Sequence, residues 1–170
     1  MSKGVVILLT GDGKGKTTSA LGQSFRALGH GWKVCFLQFI KSKWPTGEKK
    51  LAERFKEQLF FKALGKGFTW EGDLSQHIKA GREAWDFARE KVMSDEYDLV
   101  VLDELTFLIR YNIVSEREVI ELIADRPARV NLLITGRSAT EGLIEACDIV
   151  SEVKPLKYPQ DSPARKGIEY

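Results

Sequence analysis

The sequence is short of reactive side chains. It holds two cysteines, Cys35 and Cys147, and two histidines, His30 and His77. None stands at the spacing of a zinc site or a redox motif. Cys35 lies in an apolar run and Cys147 at the end of a helical pattern, so both read as buried thiols acting as small hydrophobes, without a disulfide. The histidines read as structural or solvent-exposed, and nothing pairs a Cys or Ser with a base as covalent catalysis needs. Net charge is also scarce. Twenty-six basic residues against 24 acidic leave +2, which removes the electrostatic case for a dedicated nucleic-acid binder. The longest aliphatic run near the start, Val5 to Leu9, is too short for a membrane span or a signal-peptide core. A cytoplasmic protein with no membrane contact is the expectation.

What is present suits one globular domain. At 170 residues, 43% hydrophobic and 29% charged, the chain can bury a core without metals or disulfides. We expect a single domain over residues 1–170, with 154–170 as a C-terminal tail that is either solvated or folded back over a site. Apolar runs at Val5–Leu9, Val34–Leu37, Leu59–Phe61, Leu99–Leu102, Val130–Ile134 and Ile149–Val153 read as strands, mostly continuous as parallel strands covered on both faces are.

Helical patterns alternate with these strands. Leu21, Phe25 and Leu28 mark an amphipathic helix stopped at Gly29-His30-Gly31. A longer helix is predicted from Leu74 to Met93, opened by Asp73 and striped by Ile78, Gly81, Trp85, Ala88 and Val92. Capping boxes at Ser115/Glu118 and Ser138/Glu141 predict two more starts. Lys41–Lys50, with Pro45 and Gly47, reads as a loop. The alternation predicts an α/β domain with a mostly parallel central sheet and right-handed crossovers.

Between the first strand and first helix lies Thr10-Gly11-Asp12-Gly13-Lys14-Gly15-Lys16-Thr17-Thr18, where a phosphate-binding loop belongs. Its glycines let backbone N–H groups turn toward phosphate oxygens, and the helix that follows adds its positive end. Lys16 supplies a charge, and the Thr17 hydroxyl suits a magnesium ion shared with phosphate. Thr10 stands where the strict pattern has glycine, so the loop is a variant. With the alternation this loop predicts a three-layer, P-loop NTPase-like (RecA-like) α/β fold; a nucleoside triphosphate is implied, and the reaction is not.

A second element, Leu99 to Leu102 followed by Asp103 and Glu104, ends on the same rim. The two acids read as metal ligands, as an ATPase pair in which the second positions water, or as an N-cap pair. Arg137, after Thr135-Gly136, either reaches an anion on that rim or is a surface arginine. Lys41, Lys43, Lys49 and Lys50 beside Trp44 would be the contact of a single-strand-binding module, a reading the low net charge disfavours.

Gly11–Thr18, Gln38-Phe39-Ile40-Lys41, Trp44-Pro45-Thr46-Gly47-Glu48, Gly67-Phe68-Thr69-Trp70-Glu71, Leu102-Asp103-Glu104-Leu105, Thr135-Gly136-Arg137 and Lys166-Gly167-Ile168-Glu169-Tyr170 occur in one order. Together they resemble the ATP:corrinoid adenosyltransferases of the P-loop type, from Gly4 to Tyr170. The resemblance implies transfer of the 5′-deoxyadenosyl group of ATP to the cobalt(I) of a corrinoid, with release of triphosphate. The substrate's own cobalt is then the nucleophile, which explains why the protein offers none. Gly11, Asp12, Gly13, Lys14, Gly15, Lys16, Thr17 and Thr18 would cradle ATP, with Arg26 and Gln38 toward its adenosine and Arg137 on the rim.

By the same resemblance, Thr17 and Glu104 hold magnesium or manganese with Asp103 behind them. Phe68 and Trp70 displace the lower axial ligand of cobalt(II). A flavoprotein or flavodoxin-type donor supplies the electron, and the chain pairs as a homodimer. Two departures stand out. Asp12 replaces the asparagine common in relatives. The sequence begins at Met1-Ser2-Lys3, so a lid from the helical extension many relatives carry is expected to be absent.

Overall fold

The computed structural model describes residues 3–40, 46–65, 74–157, 159 and 163–170. Six strands form one sheet: β1 (Val6–Thr10), β2 (Val34–Gln38), β3 (Leu59–Ala63), β4 (Leu99–Asp103), β5 (Asn131–Thr135) and β6 (Ile149–Glu152), in the order β3-β2-β4-β5-β1-β6. Every pairing is parallel. Each predicted strand exists, displaced by a residue or so at its ends.

The period of two along each strand sorts side chains onto two faces. Cys35, Leu37, Val100, Leu102, Leu132 and Ile134 face a cluster that includes Trp85, Ala88 and Val92 of α3 (Leu74–Met93) and Val119, Leu122 and Ile123 of α5 (Glu116–Asp125). Val34, Phe36, Leu99, Val101 and Leu133 face Ala20 and Ala27 of α1 (Lys16–Gly29). Helices thus cover both faces, giving three layers. Burying a side chain such as Leu102 or Phe36 completely contributes about 1.5–3 kcal/mol each. In this interior the Cys35 thiol is pushed up to about 12 and that of Cys147 to about 11, both chiefly by burial. Both are free thiols.

Several helical expectations change. On α1 the sheet-facing residues are Ala20, Ser24 and Ala27, small enough to let the helix lie close, while Phe25 is 68% exposed. The Leu21/Phe25/Leu28 stripe is divided: Leu21 and Leu28 pack partly buried against the same cluster, and all three line the cleft described below. On α3, Trp85, Ala88 and Val92 are core, but Ile78 is 42% exposed. The proposed Asp73 start lies outside the described residues.

The Ser115 box forms as expected: the Glu118 N–H donates to Ser115 Oγ at 3.3 Å, and Glu118 Oε2 accepts the Ser115 N–H at 2.9 Å. The Ser138 box does not. Ser138 sits in the left-handed region at φ 52°, which turns the chain, so helix α6 (Glu141–Glu145) starts from Thr140 without a side-chain cap. Part of the expected Lys41–Lys50 loop is helical, as α2 (Gly47–Ala52). A further short helix, α4 (Thr106–Arg110), follows β4. The last strand, β6, is an exposed edge rather than a strand covered on both faces.

Candidate active site

Parallel strands put all their carboxyl ends on one rim, and this rim carries the loop after β1, Gln38 at the end of β2, Asp103 at the end of β4 and Thr135 at the end of β5. Above it opens a cleft of about 1310 Å³. The phosphate loop from Asp12 to Thr18, Gln38, Asp103, Glu104 and Arg137 all line it.

The loop is shaped from below by the chain after β6. The Gly13 N–H donates to the Val153 carbonyl at 2.8 Å, and the Val153 N–H donates to the Thr10 carbonyl at 2.8 Å. A Cβ at Gly11 or Gly13 would lie 2.5 or 2.7 Å from the Val153 oxygen, and Gly11 also holds φ 96°. Glycine is required there by space and, at Gly11, by backbone angle. Gly15, at φ 125°, precedes α1 without a side-chain cap, which leaves the helix N-terminus facing the cleft.

Lys16 is 5% exposed, and its Nζ donates to the Gly11 and Gly13 carbonyls at 2.7 and 2.9 Å. Burial lowers its pKa, against the pull of Glu104, Asp12 and Asp103, while Arg137 adds to the lowering. The ammonium is thus poised inside the loop among carbonyl oxygens.

Asp103 is the hub of the polar rim. It is 3% exposed, and its Oδ1 accepts the hydroxyls of Thr17 at 2.9 Å and Thr135 at 2.7 Å. Gln38 Nε2 donates to its Oδ2 at 3.4 Å and to Glu48 of α2 at 3.5 Å. Burial pushes the Asp103 carboxyl up to about 6 in spite of these bonds, and the neighbouring Glu104 charge adds to the rise. Glu104 itself adopts φ 61°, with its N–H donating to Thr135 Oγ1 at 2.9 Å. The donor set is all oxygen: a threonine hydroxyl and two carboxylates, with Glu48 beyond Gln38. Such a set fits a hard divalent cation. Among the described residues no cluster of three or more His, Cys, Asp or Glu converges on one point.

Arg137 and Asp12 face each other at 4.0 Å, both exposed. Arg26 does not join the site. It is exposed on α1, its guanidinium 3.5 Å from Gln23, outside the lining of the cleft. Phe68 and Trp70 lie outside the described residues, as do Lys41, Lys43 and Trp44.

Some of the lining was not anticipated. Leu21, Phe25 and Leu28 of α1 meet Phe36, Phe55 and Phe61 in an apolar wall. Across from them α4 presents Phe107, with Tyr111 at a ring separation of 4.3 Å and Arg110 lying 5.9 Å from the Tyr111 ring. A usable signal existed, since Thr106–Arg110 directly follows the rim acids. The tail also closes in: Gly167, Ile168, Glu169 and Tyr170 line the cleft, and Lys14 Nζ donates to the Ile168 carbonyl at 3.0 Å. Of the two expectations for the tail, this final stretch follows the folded-back one.

Residues 2–170 match the family model described as ATP:corrinoid adenosyltransferase BtuR/CobO/CobP. The corrinoid adenosyltransferase of Escherichia coli K12 is 39% identical over 171 residues, covering 99% of this chain and 86% of that protein. Corrinoid adenosyltransferase CobA of Salmonella typhimurium is 39% identical with the same coverage. The Pseudomonas aeruginosa corrinoid adenosyltransferase is 39% identical over 99% of this chain and 84% of its own. Among solved structures, the flagellar accessory protein FlaH of Methanocaldococcus jannaschii superposes with a TM-score of 0.60 over 89% of this chain and 72% of that one, at 12% identity. That likeness concerns the fold alone.

Proposed function

The chain belongs to the ATP:corrinoid adenosyltransferase family, and from that premise we propose how its cleft carries out adenosyl transfer. The enzyme transfers the adenosyl group of ATP to corrinoid cobalt. In that reaction a bond forms between reduced cobalt and the ribose C5′ carbon, the C5′–O bond breaks, and its electron pair leaves with triphosphate. One observation carries the assignment of labour. The cleft joins a cationic phosphate loop to an apolar wall, and neither a cysteine nor a histidine lines it among the described residues. Two substrates held there react with each other, and the protein orients them and stabilises the leaving group.

Lys16 and the loop amides from Gly11 to Thr18 bind the triphosphate. Lys16 exchanges its carbonyl partners for phosphate oxygens, whose charge it balances as the C5′–O bond opens. Thr17 and Glu104 would hold magnesium or manganese, with Asp103 orienting Thr17 from beneath. That cation, when bound, neutralises part of the leaving-group charge. Gln38 and the apolar residues Leu21, Phe25 and Phe36 form the adenosine side, where the flat base is shielded from water. Arg137, on the rim beside the phosphate loop, reaches toward the anionic triphosphate. Phe68 and Trp70, assigned through family membership, take the lower face of the corrin and keep its axial ligand and water away.

The wider setting is proposed on the same premise: a cytoplasmic homodimer that receives its electron from a flavoprotein or flavodoxin-type donor. No described helix is long and apolar enough to cross a membrane. The test is anaerobic incubation with magnesium-ATP and chemically reduced corrinoid, following the cobalt–carbon chromophore and the phosphate product together. Adenosylated corrinoid with stoichiometric triphosphate is expected. ADP and phosphate with unchanged corrinoid would overturn the reading in favour of a hydrolase that uses Glu104 to position water.

A further inference from the structure

The last residues return across 154 positions of sequence to the phosphate loop. Lys14 Nζ, besides its bond to Ile168, stands 3.8 Å from Glu169 Oε1. Glu169 is held in place: its Oε2 accepts the Arg165 N–H at 2.7 Å. Gly167, at φ 82°, turns the segment, and its N–H donates to the Tyr170 carbonyl at 2.7 Å. A folded turn thus carries a second carboxylate, in addition to that of Asp12, to a loop that presents Lys14 and Lys16. Lys16, two residues on, rests on backbone carbonyls instead.

A carboxylate beside a phosphate site weakens binding of a polyanion, by repulsion and by engaging a nearby cation. A loop selected only for the tightest grip would not carry one. A loop that must let a polyanion go after each turnover gains from it, because binding that persists equally through the reaction lowers KM without raising kcat.

We propose that Glu169 is a positioning residue that competes with triphosphate for Lys14, holding this ammonium on the tail and so easing release of the leaving group. The inference rests on the phosphate-binding reading of the loop. It predicts an exchange: when triphosphate binds, Lys14 leaves Glu169 and the 165–170 turn loosens.

The experiment is calorimetric titration of the full chain with inorganic triphosphate and magnesium, without corrinoid. Glu169→Gln keeps an acceptor for the Arg165 N–H while removing the charge, and is expected to bind triphosphate about fivefold more tightly at low salt. Glu169→Asp, which keeps the charge, stays near the unaltered protein. In a Lys14→Gln background the gain from Glu169→Gln disappears. In turnover, Glu169→Gln lowers kcat and the KM for ATP together. A passive structural role has the opposite sign, since loosening the tail would weaken binding.

Unchanged or weaker binding by Glu169→Gln overturns the proposal, and an undiminished gain in the Lys14→Gln background overturns the route through Lys14. Amide exchange on the unaltered protein gives an independent check. Triphosphate is expected to speed exchange across 165–170, and slower or unchanged exchange counts against the competition. If the unaltered chain binds neither ATP nor triphosphate, the phosphate-loop reading falls as well, an outcome distinct from failure of Glu169 alone.

Discussion

Thr17 and Asp103, 86 residues apart in sequence, share a hydrogen bond of 2.9 Å that ties the start of α1 to the end of β4. The same Asp103 oxygen takes the Thr135 hydroxyl, so one buried carboxylate registers three separate segments of the rim. Positioning of this kind costs stability, because burial disfavours the charged form that does the positioning.

That cost is measurable. The Asp103 carboxyl is raised from 3.8 to about 6, mainly by burial, which corresponds to a penalty on the order of 3 kcal/mol once both folded and unfolded forms are ionised. The folded state binds the extra proton between these values, so this contribution to stability falls as pH rises from about 4 to about 6. Asp103→Asn keeps an acceptor for both threonines and removes the penalty. Its Tm is expected to exceed that of the unaltered protein at pH 7.5, with the gap closing toward pH 4, while adenosyl transfer falls. Thermal unfolding across that range decides it; a gap independent of pH would refute the assignment.

Lys16→Ala removes the buried ammonium that faces the loop carbonyls. The expected loss in kcat/KM is about 3 kcal/mol, or roughly a hundredfold, as for other preorganised charge donors. Steady-state transfer at saturating reduced corrinoid measures this. Near-normal turnover would show that the loop amides suffice.

Glu118 is not part of the cleft lining and responds to acid in the opposite direction. Its bonds to the Ser115 backbone, Arg82 and the Ser115 hydroxyl hold its carboxyl down at about 2. The stability it contributes is present above its ordinary range near 4.5 and is lost as pH falls toward 2. Glu118→Ala breaks the capping box and the 2.8 Å contact with Arg82 of α3. A loss of about 1 kcal/mol is expected at pH 7, shrinking toward zero near pH 2. Urea titrations at several pH values test this, with transfer activity unchanged where both proteins are folded.

The role proposed for Trp70 is to displace the lower cobalt ligand before the electron arrives. Trp70→Ala is therefore expected to lower adenosylation of cobalt(II) corrinoid plus reductant more than that of corrinoid already reduced to cobalt(I). Equal losses in the two assays would contradict ligand displacement.

The strands were legible because parallel strands buried on both faces leave continuous apolar runs, and Val34–Leu37 and Leu99–Leu102 are of that kind. The acids and glycines of the rim were legible through their places at strand ends. Residues whose surroundings come from distant sequence were harder to read. Leu21, Phe25 and Leu28 have the spacing of a core stripe, yet Ala20, Ser24 and Ala27 are the buried face, Leu21 and Leu28 pack only partly against the core, and Phe25 is exposed. A moment toward one side does not say whether that side meets a sheet or a ligand. Ser138 had the composition of a cap, but the turn after Gly136 takes it into the left-handed region instead. The tail's return brings it to Lys14, 154 positions away, too far along the chain for any local pattern to register.

The contact between Gly13 and Val153 also sets an order of events in time. The phosphate loop leaves the ribosome well before β5 and β6, yet its floor is made by β6 and the residue after it, and β1 itself pairs with β5 and β6. A nascent chain therefore carries the loop as sequence long before it carries it as a site. The shape of the loop waits for β6, and a chain ending before residue 153 lacks the backbone contacts that form the loop's floor.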